Sequence, residues 1–385
     1  MIKNKFIYFY CGLICCLLFF PAVIFAESQK LKLFSPPPNS LRVEAYIDGS
    51  YNYLLRSNRF VNSIYDRVND LNQNGFTLQQ AALTIIKSPT LIEPLGGLLS
   101  AIAGRDAYNI APLGLNADVF NSSTVGLTIA QAYLRYKINN NINIKFGDML
   151  SLAGIEIYFY PQVTNFSRGI LYGYAQPGTH MGIRDINRIN QQWVIVFGIA
   201  NGWNTVRQSG QIKAGEAGIV YTPNNAFSMM IDLYGGSQYL TDLANSGLTG
   251  ERYLWDAYGS WFLNKNINLM FNYNYGWQNR ATLANSKTGF ARWQGIALYL
   301  NTIWTDTWRT SIRGEIFNDP QGYRTGVNQT WNELTLTLAY FIRKDFQIRA
   351  ETRHDFANTA SFLQKNRLDT SNNQQSYALE LLLGF

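Results

Sequence analysis

The chain has 385 residues, of which 15% are aromatic and 15% are charged, and its formal net charge is +7. Soluble proteins carry about 25% charged residues, so this chain is poor in charge. Its positive balance is not concentrated in any basic run, which excludes nucleic acid as the main partner. All three cysteines lie within the first 16 residues. The remainder therefore has no disulfide framework or cysteine-based metal site, and no phosphate-loop or cofactor motif appears in the sequence.

The amino terminus predicts a secretory signal peptide over residues 1–26. A short basic start precedes an uncharged run over residues 6–20, and the segment ends in Ala26, a small residue suited to signal peptidase. The alternative, an uncleaved helix, is disfavoured because the run is shorter than the roughly 20 residues that a spanning helix needs. After cleavage, we expect residues 27–40 to be an extended periplasmic lead, because their prolines cannot donate hydrogen bonds to a sheet.

From residue 41 to residue 385, the recurring pattern is an alternation of apolar and polar residues, as in 42–53, 267–278 and 346–356. A period of two is typical of a strand with one apolar face. Repeated segments of about ten residues predict a transmembrane β-barrel with a lipid-facing side and a water-facing side. A dry sandwich core would have to bury the charges of 349–355 at a cost of several kcal/mol per unpaired charge, whereas a wet lumen avoids that cost.

The connections predict the strand number. Short polar turns alternate with long polar stretches, as expected for periplasmic turns and extracellular loops. About 17 segments resemble strands, but both chain ends must lie on the periplasmic side, so the number must be even. Residues 151–177 contain Pro161 and no clean alternation, and we interpret them as a loop. The predicted fold is therefore all-β, an antiparallel transmembrane barrel of about 16 strands, with 14 or 18 as alternatives.

The carboxyl-terminal segment predicts the strand that closes the barrel. Every second residue of this segment is apolar, and the chain stops at an aromatic residue; the residues of this face are Tyr377, Leu379, Leu381, Leu383 and Phe385. Such a terminus resembles the closing strand of bacterial outer-membrane barrels, in which it is also the signal that the barrel-assembly machinery recognises. The alternative is an edge strand of a soluble sheet. We expect this strand to pair with 42–53.

An ordered set of short motifs spans most of the chain: NGFTLQQA (74–81), IAQAY (129–133), FG (146–147), GIE (154–156), NFSR (165–168), NGW (201–203), RGEIFNDPQG (313–322) and RAETRHD (349–355). This order resembles the OmpL-like beta-barrel porins of Gram-negative outer membranes. The match is loose over 87–125, which puts strands two to four in doubt. The resemblance implies a channel and says little about the solute.

Candidate functional residues are the charges that alternation directs into the lumen and the polar residues of 151–177. Inward cations nearly balance inward carboxylates, so the net charge does not predict an anion-selective pore. Wall charges of this kind either pair across strands and stiffen the wall, or form an arginine ladder that sets a transverse field. The loop either folds inward as a constriction or caps the barrel outside. The candidates are Glu156, Asn165, Arg168, Arg309, Arg313, Glu315, Arg349, Glu351, Arg353 and Asp355.

We therefore expect an outer-membrane porin, a water-filled channel for passive diffusion of small hydrophilic solutes, surrounded by lipid and requiring no cofactor. A channel selective for an oligosaccharide or a metal chelate and a structural or adhesive barrel are the alternatives. A barrel enzyme is disfavoured, because alternation places His354 on the lipid face and its neighbour Asp355 in the lumen. Homotrimers are common among porins of this size, but no part of the sequence identifies an interface.

Overall fold

The computed structural model describes residues 41–55, 64, 67–112, 125–207, 213–239, 249–363 and 370–385. The predicted signal peptide, residues 1–26, and the predicted lead, residues 27–40, lie outside these ranges. Among the described residues, no helix is both long enough and apolar enough to cross a membrane.

Strands make up most of the described chain. They are β1 (Leu41–Leu55), β2 (Gly75–Lys87), β3 (Leu95–Gly104), β4 (Gly126–Lys137), β5 (Ile142–Leu150), β6 (Thr179–Arg188), β7 (Trp193–Ala200), β8 (Ala214–Asn224), β9 (Phe227–Tyr239), β10 (Thr249–Asn264), β11 (Ile267–Thr282), β12 (Thr288–Ile303), β13 (Trp308–Asp319), β14 (Gln329–Arg343), β15 (Phe346–Ala357), β16 (Phe362–Leu363), β17 (Thr370–Ser371) and β18 (Asn373–Gly384). The helical structure of the described residues consists of α1 (Ala107–Ile110), a 3-10 turn (Tyr160–Gln162) and a π turn (Leu171–Ala175).

Sixteen of these strands form one closed antiparallel barrel, which confirms the predicted fold class and strand number. Each strand pairs with its neighbours in chain order, and β18 closes the circle against β1 with Tyr53 opposite Tyr377 and Ile47 opposite Leu383. The two-residue strands β16 and β17 pair only with each other, in the connection between β15 and β18. Residues 151–177 contribute no strand to the barrel.

The outer face of the barrel is apolar, as lipid requires. In β12, exposed and buried residues alternate: Ile296, Leu298 and Leu300 point outward, whereas Ala297 and Asn301 point inward. Large aromatic residues are exposed near the end of the barrel that carries the short turns, as in the aromatic girdles of membrane barrels. They are Trp261, Trp304, Trp308, Tyr340 and Phe385.

The short turns share one chemical device. In four of them an asparagine side chain accepts hydrogen bonds from two backbone N–H groups further along the turn, so that the turn is closed locally. These asparagines are Asn139, Asn190, Asn224 and Asn264. The register that alternation requires is therefore set at the turn itself.

Residues 151–177, referred to below as the inner loop, lie inside the barrel and contact both halves of its wall. Leu152, Ile155 and Leu171 are buried in an apolar cluster with residues of β6 to β14. Tyr158, Phe159 and Phe166 are buried in a second cluster with Tyr46, Ala82, Ile102 and Ala130 of β1 to β4. The loop therefore spans the lumen between its two walls.

Candidate functional site

Arg313 on β13 is the centre of the contact between the inner loop and the wall. Its guanidinium is fully buried, and its Nε lies 2.6 Å from Oε1 of Glu333 on the neighbouring strand β14. Its Nη1 donates to Oε1 of Glu156 and to the carbonyl oxygen of Ser167, both at 2.7 Å. Burial opposes the charge of Glu156, but the nearby Arg313 and Arg168 hold the pKa of its carboxyl below its usual value. One wall cation thus binds two separate points of the loop.

Strand β15 supplies a second row of contacts. Glu351 accepts hydrogen bonds from the backbone N–H groups of Phe166 at 2.7 Å and Ser167 at 2.9 Å. Arg353 donates to the carbonyl oxygen of Arg168 at 2.6 Å and pairs with Asp355 at 2.8 Å. The loop backbone is therefore held by a carboxylate and a guanidinium two residues apart on one strand.

Arg349 completes this row. It forms an ion pair with Glu380 on β18 and donates to the carbonyl oxygen of Val163 at 2.8 Å. Glu315 on β13 accepts a hydrogen bond from the backbone N–H of Ile170. The guanidiniums of Arg313, Arg349 and Arg353 are thus all paired with carboxylates, the arrangement expected for ion pairs that stiffen the wall.

The two remaining polar candidates of the loop, Asn165 and Arg168, stabilise its conformation. Asn165 donates to Thr337 Oγ1 at 2.7 Å. Arg168 turns back onto its own loop, donating to the carbonyl oxygens of Ile157 at 2.8 Å and Tyr158 at 3.0 Å. Its guanidinium also lies 4.2 Å from the centre of the Tyr160 ring. Both side chains therefore make contacts within the loop or with the wall.

Arg309 on β13 packs against an aromatic ring of the wall. Its guanidinium lies 4.0 Å from the centre of the Phe341 ring. Together with Thr164 of the loop and Thr337 of the wall it lines a recess of ≈ 30 Å³, about the volume of one water molecule. Loop and wall are therefore in close contact along β13 to β15.

Sequence reasoning missed two charge pairs inside the barrel. Arg67, from the β1–β2 connection, lies 2.7 Å from Asp355, and no regular pattern in that connection points to it. Arg184 on β6 pairs with Glu216 on β8 at 2.5 Å. Alternation would have found Arg184, since its neighbour Ile183 is exposed on the outer face.

The two histidines make structural contacts. His180 Nδ1 lies 3.0 Å from the carbonyl oxygen of Gly202, and its ring stacks on that of Tyr234. His354 Nδ1 lies 2.9 Å from Gln375 Oε1, whereas its neighbour Asp355 binds Arg67 and Arg353. No cluster of three potential metal-ligating side chains occurs among the described residues.

A closed barrel with an apolar outer belt, a charged inner face and an inward loop defines the class of outer-membrane porins. Residues 40–385 match the model of the family described as "Putative beta-barrel porin-2, OmpL-like". The chain belongs to this family of beta-barrel porins. No individually curated protein matches the sequence.

Solved structures of other porins share the fold. The anion-selective porin from Comamonas acidovorans aligns over 90% of this chain and 99% of its own, at 11% identity and a TM-score of 0.60. The outer-membrane channel DcaP of Acinetobacter baumannii aligns over 90% and 97%, at 10% identity and a TM-score of 0.61. The trimer form of OmpT of Vibrio cholerae aligns over 90% and 99%, at 9% identity and a TM-score of 0.57. At such low identity, these matches establish the fold alone.

Proposed function

We propose that this chain forms a water-filled channel through which small hydrophilic solutes diffuse passively across the outer membrane, after export with removal of a signal peptide. The observation that carries the proposal is the closed barrel of 16 strands with charged residues on its inner face. The wall of a barrel of this size is wide enough to enclose an aqueous channel.

We propose further that the inner loop is the constriction of this channel. In support, its apolar residues contact both halves of the wall, and three buried arginines bind its backbone or side chains. Glu156, Asn165 and Arg168 then act by holding the loop in place. The position of the loop in the lumen, rather than direct contact with these three side chains, then limits the size of solute that passes.

The test is solute flux through the purified protein in liposomes. Neutral sugars of increasing size should enter at rates that fall steeply with size, and planar bilayers should show discrete ohmic conductance steps in KCl. Flux that is independent of solute size would contradict a constriction. The absence of both flux and conductance would contradict the channel and favour a structural or adhesive barrel.

A homotrimer is the assembly that we propose, since one side of the wall is short. Strand β7 has 8 residues, whereas β10, β11 and β12 have 16 each. At about 3.3 Å per residue and a tilt of about 45°, β7 rises only about 19 Å. That is less than the apolar band of about 25 Å, so this side is better covered by another copy than by lipid.

The covered side would present Phe146, Ile183, Phe197 and Ile199, all of which are exposed on the single chain. Phe197→Arg should therefore convert trimers to monomers in mild detergent, as measured by light scattering. The matched variant Leu298→Arg, at an exposed position of the tall wall, should leave the mass unchanged. Trimers that persist in Phe197→Arg would place the interface elsewhere.

A further inference from the structure

A polar patch interrupts the apolar outer face of the barrel near the end opposite the short turns. Towards that end, the outward residues of β12 change from leucine and isoleucine to Gln294 and Arg292. Gln294 lies directly opposite Tyr275 on β11 and Asn318 on β13. Arg292 lies directly opposite Trp277 on β11. Polar residues of three neighbouring strands therefore meet on the side of the wall that faces lipid.

The height of Arg292 on the wall places it at the membrane surface. At about 3.3 Å per residue and a tilt of about 45°, β12 rises about 23 Å from Thr302 at the short-turn end to Arg292. This rise is close to the apolar band of about 25 Å. A charge on the lipid face is costly at the middle of the bilayer and costs little at its interface. Arg292 is therefore tolerated at the outer-leaflet boundary, where lipid headgroups begin.

The patch contains a recess. Its volume is ≈ 140 Å³, several times that of one water molecule, which leaves room for a tetrahedral phosphate group. The recess is lined by Tyr275, Arg292, Trp293, Gln294 and Asn318. Arg292 and Gln294 are exposed, and Tyr275 and Asn318 are half-buried, so that the recess can be reached from the lipid side.

Two polar groups of the recess are able to donate to a ligand. The Arg292 guanidinium makes no hydrogen bond or ion pair with another residue that the structure describes; its backbone N–H donates to Gln321 Oε1 at 3.0 Å. The Tyr273 hydroxyl donates to Gln294 Oε1 at 3.3 Å, which leaves the amide N–H groups of Gln294 to donate elsewhere. A guanidinium and an amide thus present N–H groups on the same face of β12.

The charges around the recess favour an anion. Arg280 and Lys287 are exposed at the same end of β11 and β12. Glu251 on β10 is the nearby exposed carboxylate, and it accepts a hydrogen bond from the Tyr253 hydroxyl at 3.2 Å. Three cations face one carboxylate. The potential at this part of the rim is therefore positive, as in basic pockets that bind lipid headgroups.

Aromatic rings cover the wall beside Arg292. Ring centres are 5.1 Å apart for Tyr253 and Trp277, 5.7 Å for Tyr275 and Trp277, and 5.4 Å for Trp255 and Tyr273. Tyrosine and tryptophan are enriched where a membrane protein meets the headgroups, because each ring has an apolar body and a polar group. The flat faces of such rings also pack well against the C–H groups of sugars. The patch therefore combines a cation with surfaces suited to a sugar.

We propose that this recess binds the phosphate group of a glycolipid headgroup in the outer leaflet. The planar guanidinium of Arg292 offers two parallel N–H donors to two phosphate oxygens, and the amide of Gln294 adds a third donor. The rings of Tyr275 and Trp277 contact the sugar that carries the phosphate. Because the site is on the outside of the barrel, lipid binding is independent of conduction through the lumen.

The test measures how tightly the detergent-solubilised barrel holds lipid A, a sugar lipid with two phosphates, by native mass spectrometry. The wild-type protein should bind lipid A about tenfold more tightly than its dephosphorylated form, since a charge-assisted hydrogen bond is worth about one such factor. Arg292→Gln should abolish this preference. The charge-preserving variant Arg292→Lys should retain most of it.

Two further variants separate the site from general effects of charge and folding. Lys265→Gln removes an exposed cation at the short turn between β10 and β11 and should change nothing. Gln294→Leu extends the apolar outer face of β12; it should weaken binding of lipid A and leave binding of the dephosphorylated lipid unchanged. Heat-dependent gel mobility verifies that each barrel is closed.

The outcomes are distinct. Equal affinity for the phosphorylated and dephosphorylated lipids, or an unchanged preference in Arg292→Gln, would overturn the site. Displacement of lipid A by millimolar inorganic phosphate would assign the recess to free phosphate and overturn the lipid ligand. Lipid A binding that needs Arg292, in a protein that conducts no ions, would support the site and contradict only the proposed channel.

Discussion

At the scale of single residues, the inner face of this barrel is divided into two kinds of charge. Arg313 on β13 and Arg349 and Arg353 on β15 each have a carboxylate partner and a contact with the inner loop. On β4, β5 and β6 the cations outnumber the carboxylates; Arg135 and Lys145 are half-buried, whereas Arg184 is buried against Glu216. The first group fastens the inner loop to the wall.

Arg313→Ala should be strongly destabilising, because it removes the buried guanidinium that pairs with both Glu156 and Glu333. Breaking a buried pair by removing one partner costs about 3–5 kcal/mol. The denaturant midpoint, followed by the gel mobility of the folded barrel, should fall accordingly. The matched variant Arg343→Ala breaks a pair with Asp345 that is exposed at a short turn, and should leave the midpoint unchanged. Equal midpoints for the two variants would contradict the fastening role of Arg313.

At the scale of elements, strands were predictable wherever lipid lies on one side and water on the other. The inner faces of β11 and β15 are polar, so alternation is clean and both strands were found. Strand β3 was doubtful in the sequence because its inner face is not polar. Leu98 and Ile102 point inward, and Ile102 belongs to the apolar cluster that includes the inner loop. Because the inner face of β3 packs against the inner loop, it is apolar, and the alternation of apolar and polar residues is lost in this strand.

Contacts between distant segments also explain why the sequence could not predict whether the inner loop folds into the barrel or caps it. Its apolar residues are spaced irregularly, and their partners lie on strands from β1 to β18. The sequence also could not predict which charges form ion pairs. Alternation shows on which face of the sheet a side chain lies, but not which partner it contacts. Arg184 pairs two strands away, across a glycine, with Glu216.

Deleting residues 156–168 should widen the channel. The deletion removes Glu156, Asn165 and Arg168 together with the apolar residues that span the lumen. Single-channel conductance should rise severalfold, and larger neutral sugars should enter liposomes. Unchanged heat-dependent gel mobility would verify that the barrel still closes. An unchanged conductance in a folded variant would contradict the constriction.

Removing Phe385 should impair assembly more than conduction. The residue is 71% exposed, and its backbone N–H donates to the carbonyl oxygen of Ala45 at 2.8 Å, so the folded barrel gains little from its side chain. We expect lower levels in the outer membrane and normal conductance per assembled channel. The replacement Phe385→Trp keeps an aromatic terminus and should restore the levels. Normal levels after deletion would contradict an assembly signal formed by Tyr377, Leu379, Leu381, Leu383 and Phe385.

At the scale of the whole molecule, net charge and residue counts were poor guides to selectivity. Inward charges almost balance in the sequence, yet the register brings three cations, Arg135, Lys145 and Arg184, side by side on neighbouring strands. The strand number, by contrast, followed from the count of strand-like segments together with parity, since both chain ends had to lie on one side of the membrane. The number of strands could be predicted from the sequence. The positions of the charges relative to one another could not, because they depend on the register between strands.

The locally closed turns have a consequence for folding order. Every barrel pairing except the seam joins strands that follow one another along the barrel, and the asparagine turns favour those hairpins early. Only β1 with β18 brings together segments more than 300 residues apart, as Tyr53 and Tyr377 do. Until this pair forms, the sheet has two open edges, which are templates for aggregation. We therefore expect the barrel to remain prone to aggregation until the seam strands pair.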